Sequence, residues 1–305
     1  MGTTIKNVII LGASGSVGSV AIPALKELDF NVSVVVRPFS TASFPDFVTV
    51  HKSDYTTDSL TSIFAGQDAV ISVIAASDVT IQKNAIDAAV AARVKRFLPS
   101  EYGGDTSLPE IEKFTPFAKG KKEVLSYLKS KEPKGLTWTA LYTGPFFDSL
   151  LEIGTGLMGW EIEDYKATVY DSGNQRYDAT NFDTVGKAIA SILTHPDITQ
   201  NQQVYVNSFK VCQNEVIEGL ERLLGKKITI SRASSVEIAE KGRLTMAKGD
   251  WQKGYFGSAT GSTHGPWGFC DFGGRATRWN EVLDIPKEDL DTTLKRVLKN
   301  KNLMA

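Results

Sequence analysis

The sequence predicts an α/β fold: a Rossmann-type doubly wound parallel sheet with a smaller C-terminal α/β lobe. Three observations carry this. Apolar strand-like runs alternate with helical patterns through the first half of the chain, the rhythm of a parallel sheet covered by helices. The first run, 8–11, passes straight into Gly12-Ala13-Ser14-Gly15-Ser16-Val17-Gly18, with glycines at three-residue intervals. The second run, 31–36, ends in Arg37-Pro38, the place in such folds where a nucleotide ribose is read.

In chain order, strands are expected at 8–11, 32–36, 48–50, 69–74, 96–98 and 137–141, with helices at 17–28, 59–64, 81–92 and 119–129. After about residue 150 the rhythm changes. A short β excursion at 167–170 meets a turn at Ser172-Gly173-Asn174, and Asp183 reads as the N-cap of a helix through Leu193. A strand at 203–206, a helix at 215–224 and a strand at 227–231 follow. Ser234 with Glu237 three residues on then forms a capping-box pattern. The division expected is a nucleotide-binding unit at 1–150 and a substrate lobe at 151–305, interleaved in space. One segment stands apart: 249–274 holds eight glycines with Trp251, Tyr255, Phe256, Trp267, Phe269 and Phe272. It reads as an irregular aromatic loop, either folding over a substrate or packing its own rings as a satellite cluster.

Each loop glycine has a distinct task in a dinucleotide site. Gly12 permits the tight turn, Gly15 lets the backbone approach a pyrophosphate, and Gly18 lets the helix pack close on its strand. The N–H groups at the helix start then face the anion. Arg37 stands where an NAD site carries a carboxylate, and a planar cationic fork there suits a 2′-phosphate, so the cofactor expected is NADP(H). An ordinary glycine turn and a solvated arginine are the plain alternatives.

At 305 residues the chain can hold one large α/β core with a smaller lobe. Hydrophobic content of 42%, 34 basic against 35 acidic residues and a net charge of −1 give no basic face, so no nucleic-acid partner is expected. The short Lys119 to Lys122 run is not enough to make one. Cys212 and Cys270 are the only cysteines, too few for a disulfide framework or a thiolate zinc site. His51, His195 and His264 lack the spaced partners of a metal site, and no metal is expected. No run approaches the roughly 20 apolar residues of a membrane span, and no signal-peptide pattern opens the chain. The expectation is a cytoplasmic protein, monomer or homodimer, acting on a small molecule.

Lys95-Arg96-Phe97-Leu98-Pro99-Ser100-Glu101-Tyr102-Gly103 resembles the KRFxPSEFG segment of the isoflavone reductase and phenylcoumaran benzylic ether reductase group, within the NmrA-like atypical short-chain dehydrogenases; Tyr102 stands at the place of the Phe. The GxxGxxG spacing at 12–18, Arg37, the Asp54-Tyr55 pair, Gln82, and the segments 135–139, 144–148 and 279–286 are similar to that group as well. The resemblance covers nearly the whole chain and is strongest to fungal-type members, with departures on the substrate side. It implies an NADPH-dependent reductase delivering hydride to a small aromatic or conjugated substrate, at an enone, a ketone or a benzylic carbon. It also implies cofactor contacts from Gly12, Ser14, Gly15, Ser16, Val17, Gly18, Arg37, Asp54, Ala75, Gln82, Ser100, Glu101, Tyr102, Lys121, Gly144 and Phe146. Substrate contacts are expected from Tyr102, Phe146, Phe147 and His264, the last because the aromatic loop carries it.

The resemblance implies a catalytic lysine at Lys121, in Lys121-Lys122-Glu123-Val124-Leu125-Ser126-Tyr127-Leu128. A lysine beside a nicotinamide can hold or deliver the proton that balances hydride transfer, provided its surroundings bring its pKa toward neutrality. Lys119 and Lys122 are rivals, and Leu125 stands where plant members often carry Arg. Tyr127 and Lys131 also spell the YxxxK of typical short-chain dehydrogenases, although Tyr127 lies about 240° round a helix from Lys121. A non-catalytic NmrA-like protein that senses NADP(H) is the competing class.

Overall fold

The computed structural model describes residues 3–75, 78–154 and 156–304. Its first half runs β1 (Asn7–Leu11), α1 (Ser16–Glu27), β2 (Asn31–Val36), β3 (Thr49–Lys52), α2 (Thr57–Phe64), β4 (Ala69–Ser72), α3 (Val79–Ala91), β5 (Arg96–Leu98), α4 (Ile111–Phe114), α5 (Phe117–Lys129) and β6 (Thr137–Tyr142). The second half runs α6 (Phe147–Ile153), β7 (Trp160–Glu161), β8 (Lys166–Tyr170), β9 (Tyr177–Ala179), α7 (Phe182–Thr194), α8 (Pro196–Thr199), β10 (Gln202–Tyr205) and β11 (Phe209–Val211). It closes with α9 (Gln213–Leu224), β12 (Thr229–Ala233), α10 (Ser235–Ala247), α11 (Trp251–His264), α12 (Arg275–Val282) and α13 (Leu290–Asn300).

Seven strands form one parallel sheet in the order β3-β2-β1-β4-β5-β6-β10. Its central strands are apolar runs buried on both faces, as the parallel arrangement requires. One face packs on α1 and α7, the other on α2, α3, α5 and α12. Gly186 brings α7 against α1, since a Cβ there would sit 2.2 Å from the Val20 carbonyl. The chain order reverses between β1 and β4, so a crevice opens at their carboxyl ends, where doubly wound sheets bind ligands. Arg96 is buried in β5 and donates to Thr137, Thr139 and Thr199 hydroxyls and the Pro196 carbonyl, tying β5 to β6 and α8.

A second core gathers Phe147, Trp160, Val169, Tyr177, Leu220 and Leu294, under the β7-β8-β12 and β9-β11 sheets. The chain moves between the two cores, because β10 and α7 belong to the main sheet's layers although they follow β9.

Two local expectations need correction. Asn181, not Asp183, is the N-cap of α7; Asp183 lies in the first turn, where its charge suits the helix dipole. The segment 249–274 is not an irregular loop: its first half is α11. Its glycines form a seam against α10. A Cβ on Gly254 would lie 2.6 Å from the Gly242 carbonyl, and one on Gly261 would lie 2.5 Å from the Ser235 carbonyl. Backbone-to-backbone packing thus overrides the poor helix propensity of glycine. Beyond α11, Trp267 stacks on Phe114 at 3.8 Å, and Phe272 enters the main core.

Candidate active site

The glycine loop occupies the crevice, and its three glycines have different causes. Gly12 adopts φ +81°, and a Cβ there would come within 2.9 Å of the Val73 carbonyl across the switch point. A Cβ on Gly18 would strike the Ala13 carbonyl at 2.1 Å, so glycine is needed for α1 to lie on β1. Gly15 is different. Its φ of −84° suits any residue, and its Cβ would meet only the Gly12 carbonyl, at 3.3 Å. The fold therefore asks little of Gly15, whereas a backbone bared toward a ligand explains it. α1 starts at Ser16 with no side-chain cap and no acidic residue in its first turn, and Ser14 and Ser16 are exposed beside it. These features fit a dinucleotide pyrophosphate.

Arg37 is exposed just past β2, and among the described residues no carboxylate pairs with its guanidinium. Its charge reaches Tyr55, whose hydroxyl donates to the Val35 carbonyl at 2.9 Å. Asp54, after β3, accepts from the Thr56 N–H and hydroxyl, at 3.0 and 2.8 Å, and these bonds hold its pKa below the usual carboxylate range. Gln82 on α3 is buried and accepts from Ser72 at 3.2 Å and from the Ser100 N–H at 3.3 Å, clasping the ends of β4 and β5. The Ser100 hydroxyl donates to the Ile74 carbonyl at 2.7 Å. Gln82 thus braces Ser100, which forms part of the floor.

That floor belongs to a cleft of about 530 Å³. Val17, Val73, Ile74 and Ala75 line it from the switch point; Ser100, Glu101 and Tyr102 line it from the β5 end. Lys121 and Phe117 reach it from one face of α5, four residues apart. Phe146 forms a further wall, packed on Phe182 at 5.2 Å. Trp251, Gln252, Tyr255 and Phe256 of α11 cover the opposite side, so the aromatic segment does reach the cleft, as a helix. Phe117 and Gln252 were not singled out from the sequence; helical spacing from Lys121 would have found Phe117.

Lys121 is buried, and its Nζ donates to the main-chain carbonyl of Glu101. Burial pushes its pKa below the ordinary lysine range, with the Glu101 carboxylate opposing. Glu101 is itself buried; burial raises its pKa, Lys121 opposes, and Oε2 accepts from the Thr106 hydroxyl at 2.8 Å. The rivals of Lys121 stand elsewhere. Lys122 binds the Leu108 carbonyl at 3.0 Å and Glu112 at 3.1 Å, and Lys119 is exposed. The YxxxK pair faces α3: the Tyr127 hydroxyl lies 2.7 Å from Asp87, and Lys131 lies 2.7 Å from the same carboxylate.

Two of the expected substrate contacts, Phe147 and His264, lie apart from the cleft lining, as does the expected cofactor contact Gly144. Phe147 turns into the second core, edge-on to Phe209 at 4.8 Å. Gly144 adopts φ +62°, and a Cβ there would lie 2.0 Å from the Asp178 carbonyl, so glycine is required; its N–H donates to the Gly103 carbonyl at 3.1 Å, bracing the loop behind Tyr102. His264 is buried at the far end of α11, stacked on Tyr170 at 5.3 Å, edge-on to Tyr177 at 5.1 Å. Burial pushes its pKa down to about 3, so it is neutral near pH 7 and holds no acidic proton there.

The NmrA-like family profile matches residues 4–248. The oxidoreductase aprR of Aspergillus flavus is 32% identical over 312 residues, covering 97% of this chain and 99% of that protein. The structure of AtPrR2 with NADP+ and (+)pinoresinol superimposes with a TM-score of 0.75 at 22% identity, covering 97% of this chain and all of the other. Structures of pinoresinol-lariciresinol and phenylcoumaran benzylic ether reductases give 0.77 at 20% identity, with 97% and 100% coverage. Fold, glycine loop and relatives agree, and the chain belongs to the NmrA-like family.

Proposed function

We propose that this protein is an NADPH-dependent reductase of small aromatic or conjugated molecules, with residues 1–150 supplying the cofactor surface and 151–305 most of the substrate lobe. The observation that carries the reading is Lys121, a buried ammonium at the floor of an aromatic cleft that begins at the glycine loop. The relatives support it: one is an oxidoreductase by name, and a solved neighbour holds NADP+.

The loop 12–18 and the α1 N-terminus bind the pyrophosphate, and Arg37 meets the 2′-phosphate. When bound, NADPH supplies the hydride. Lys121 holds the balancing proton on Nζ, kept in place by the Glu101 carbonyl. Its lowered pKa makes that proton easier to give up than one on a solvated lysine. Phe146, Phe117, Trp251 and Tyr255 offer flat apolar surface to an aromatic substrate. The protein works as monomer or homodimer without a nucleic-acid partner.

The experiment is incubation with NADPH and a panel of aromatic enones, ketones and quinones, following the absorbance of the reduced cofactor. Turnover with a panel member is expected. NADPH binding without consumption across the whole panel would favour the sensing protein instead.

A further inference from the structure

We propose that the substrate carries a neutral aliphatic tail on its aromatic ring, and that this tail leaves the cleft past Trp251 to lie in a second groove alongside it. The inference rests on the reductase reading and narrows its substrate class.

The groove has a volume of about 500 Å³, close to the 530 Å³ of the cleft, and Trp251 lines both. Two stretches of backbone set them side by side. Pro116 lines the groove, and Phe117, the next residue, lines the cleft. Across from them Ala247 ends α10 and Trp251 begins α11, and the turn between, with Gly249 at φ +94°, brings both to the groove. Trp251 is 48% exposed, so its ring divides the two spaces only in part, and the way from one to the other runs over its free edge.

The two spaces offer different surfaces. Besides Trp251, the cleft lining includes the rings of Phe117, Phe146, Tyr255 and Phe256, which suit a planar aromatic group. The groove has no ring other than Trp251; Pro116, Met246 and Ala247 supply the rest of its apolar lining. Methionine is unbranched and adapts to irregular shapes, so such a surface suits a flexible chain. The remaining lining residues are charged, and each has a partner: Glu112 with Lys122 at 3.1 Å, Lys113 with Glu110 at 2.7 Å, and Arg243 with Glu240 at 2.6 Å. No unpaired charge is left among them to hold an ionised head group, while their methylene stems add apolar surface.

The occupant that fits is therefore uncharged and aliphatic. A short chain alone gains too little in a surface groove to stay there. Attached to a ring already held in the cleft, it incurs no second loss of translational and rotational freedom. A molecule bound in this way keeps its reducible group toward Lys121 and its tail at the far end of the ring.

Protein saturated with NADP+, which cannot reduce a ketone, is titrated calorimetrically with 4-phenylbut-3-en-2-one and with its para-butyl derivative. Wild type should bind the butyl ketone about tenfold more tightly, the scale for four carbons about half buried. Ala247→Asp sets a carboxylate in the groove from an exposed position outside the cleft lining. It should remove most of the butyl gain and leave the affinity for the unsubstituted ketone unchanged. A gain that survives in Ala247→Asp puts the tail elsewhere and overturns the proposal. So does a variant that weakens both ketones equally, which would mark a change in the cleft, or a wild type with no butyl gain, weak binding of both included. The reductase reading fails separately, if NADPH reduces no ketone while the butyl gain and its loss in the variant persist.

Discussion

At the scale of single residues, the cleft is built from groups whose ordinary behaviour burial has altered. Lys121 is the clearest, since its ammonium has a carbonyl acceptor but no carboxylate within ion-pair distance among the described residues. If that ammonium gives the proton, kcat should be level at low pH and fall as pH rises through the lysine's folded pKa. That fall should come below the ordinary lysine range, because desolvation disfavours the charged form. Lys121→Ala should lower kcat by on the order of a hundredfold, leaving NADPH affinity and folding nearly intact. Lys119→Ala, on an exposed side chain, should do little, and Tyr127→Phe should keep its rate because that hydroxyl serves Asp87. Steady-state rates and pH profiles of the variants decide it. An inactive Tyr127→Phe beside an active Lys121→Ala would move the chemistry to the YxxxK pair.

At the scale of elements, legibility followed locality. The alternating strands and helices, the glycine loop and the segment before Tyr102 are patterns within a few residues, and each lies where periodicity or turn chemistry puts it. α11 is different because its glycines are explained only by α10, and nothing local announces a partner helix. Phe147 and His264 pack away from the cleft lining for a related reason: which core a side chain enters is set by long-range packing, which no local pattern announces. The seam itself can be tested. Gly261→Ala forces a Cβ to 2.5 Å from both the Ser235 carbonyl and the Ala239 Cβ, and overpacking of this kind costs about 1–3 kcal/mol. Gly257→Ala meets the Gly242 Cα at 3.2 Å, so a gain in helix propensity of roughly 0.5–1 kcal/mol offsets most of its strain. Denaturant unfolding should show Gly261→Ala clearly destabilised and Gly257→Ala near wild type; the reverse order would mean that α10 and α11 do not meet along these glycines.

At the scale of the molecule, the cleft belongs to no single stretch of chain. The switch point of the sheet supplies the glycine loop, α5 supplies Lys121, and α11 covers them from more than a hundred residues later in the sequence. A ligand that occupies this junction binds only the folded chain and so stabilises the whole of it. At one hundred times its Kd a cofactor contributes about 2.7 kcal/mol. With an unfolding entropy of about 2.1 cal/mol/K per residue, a chain of 305 residues should then gain about 4 °C in Tm. NADPH should give this shift, and NADH at the same concentration a smaller one, because only the former carries a phosphate for Arg37. Arg37 is exposed and unpaired with any carboxylate among the described residues, so Arg37→Asp should leave the cofactor-free Tm within the small range of surface substitutions. The same substitution should remove the NADPH advantage, since a charge-assisted contact is worth about 1.5–3 kcal/mol and a carboxylate there repels the phosphate. Thermal unfolding of both proteins with each cofactor measures all four cases; equal shifts by NADH and NADPH in the wild type would show that Arg37 does not read the 2′-phosphate.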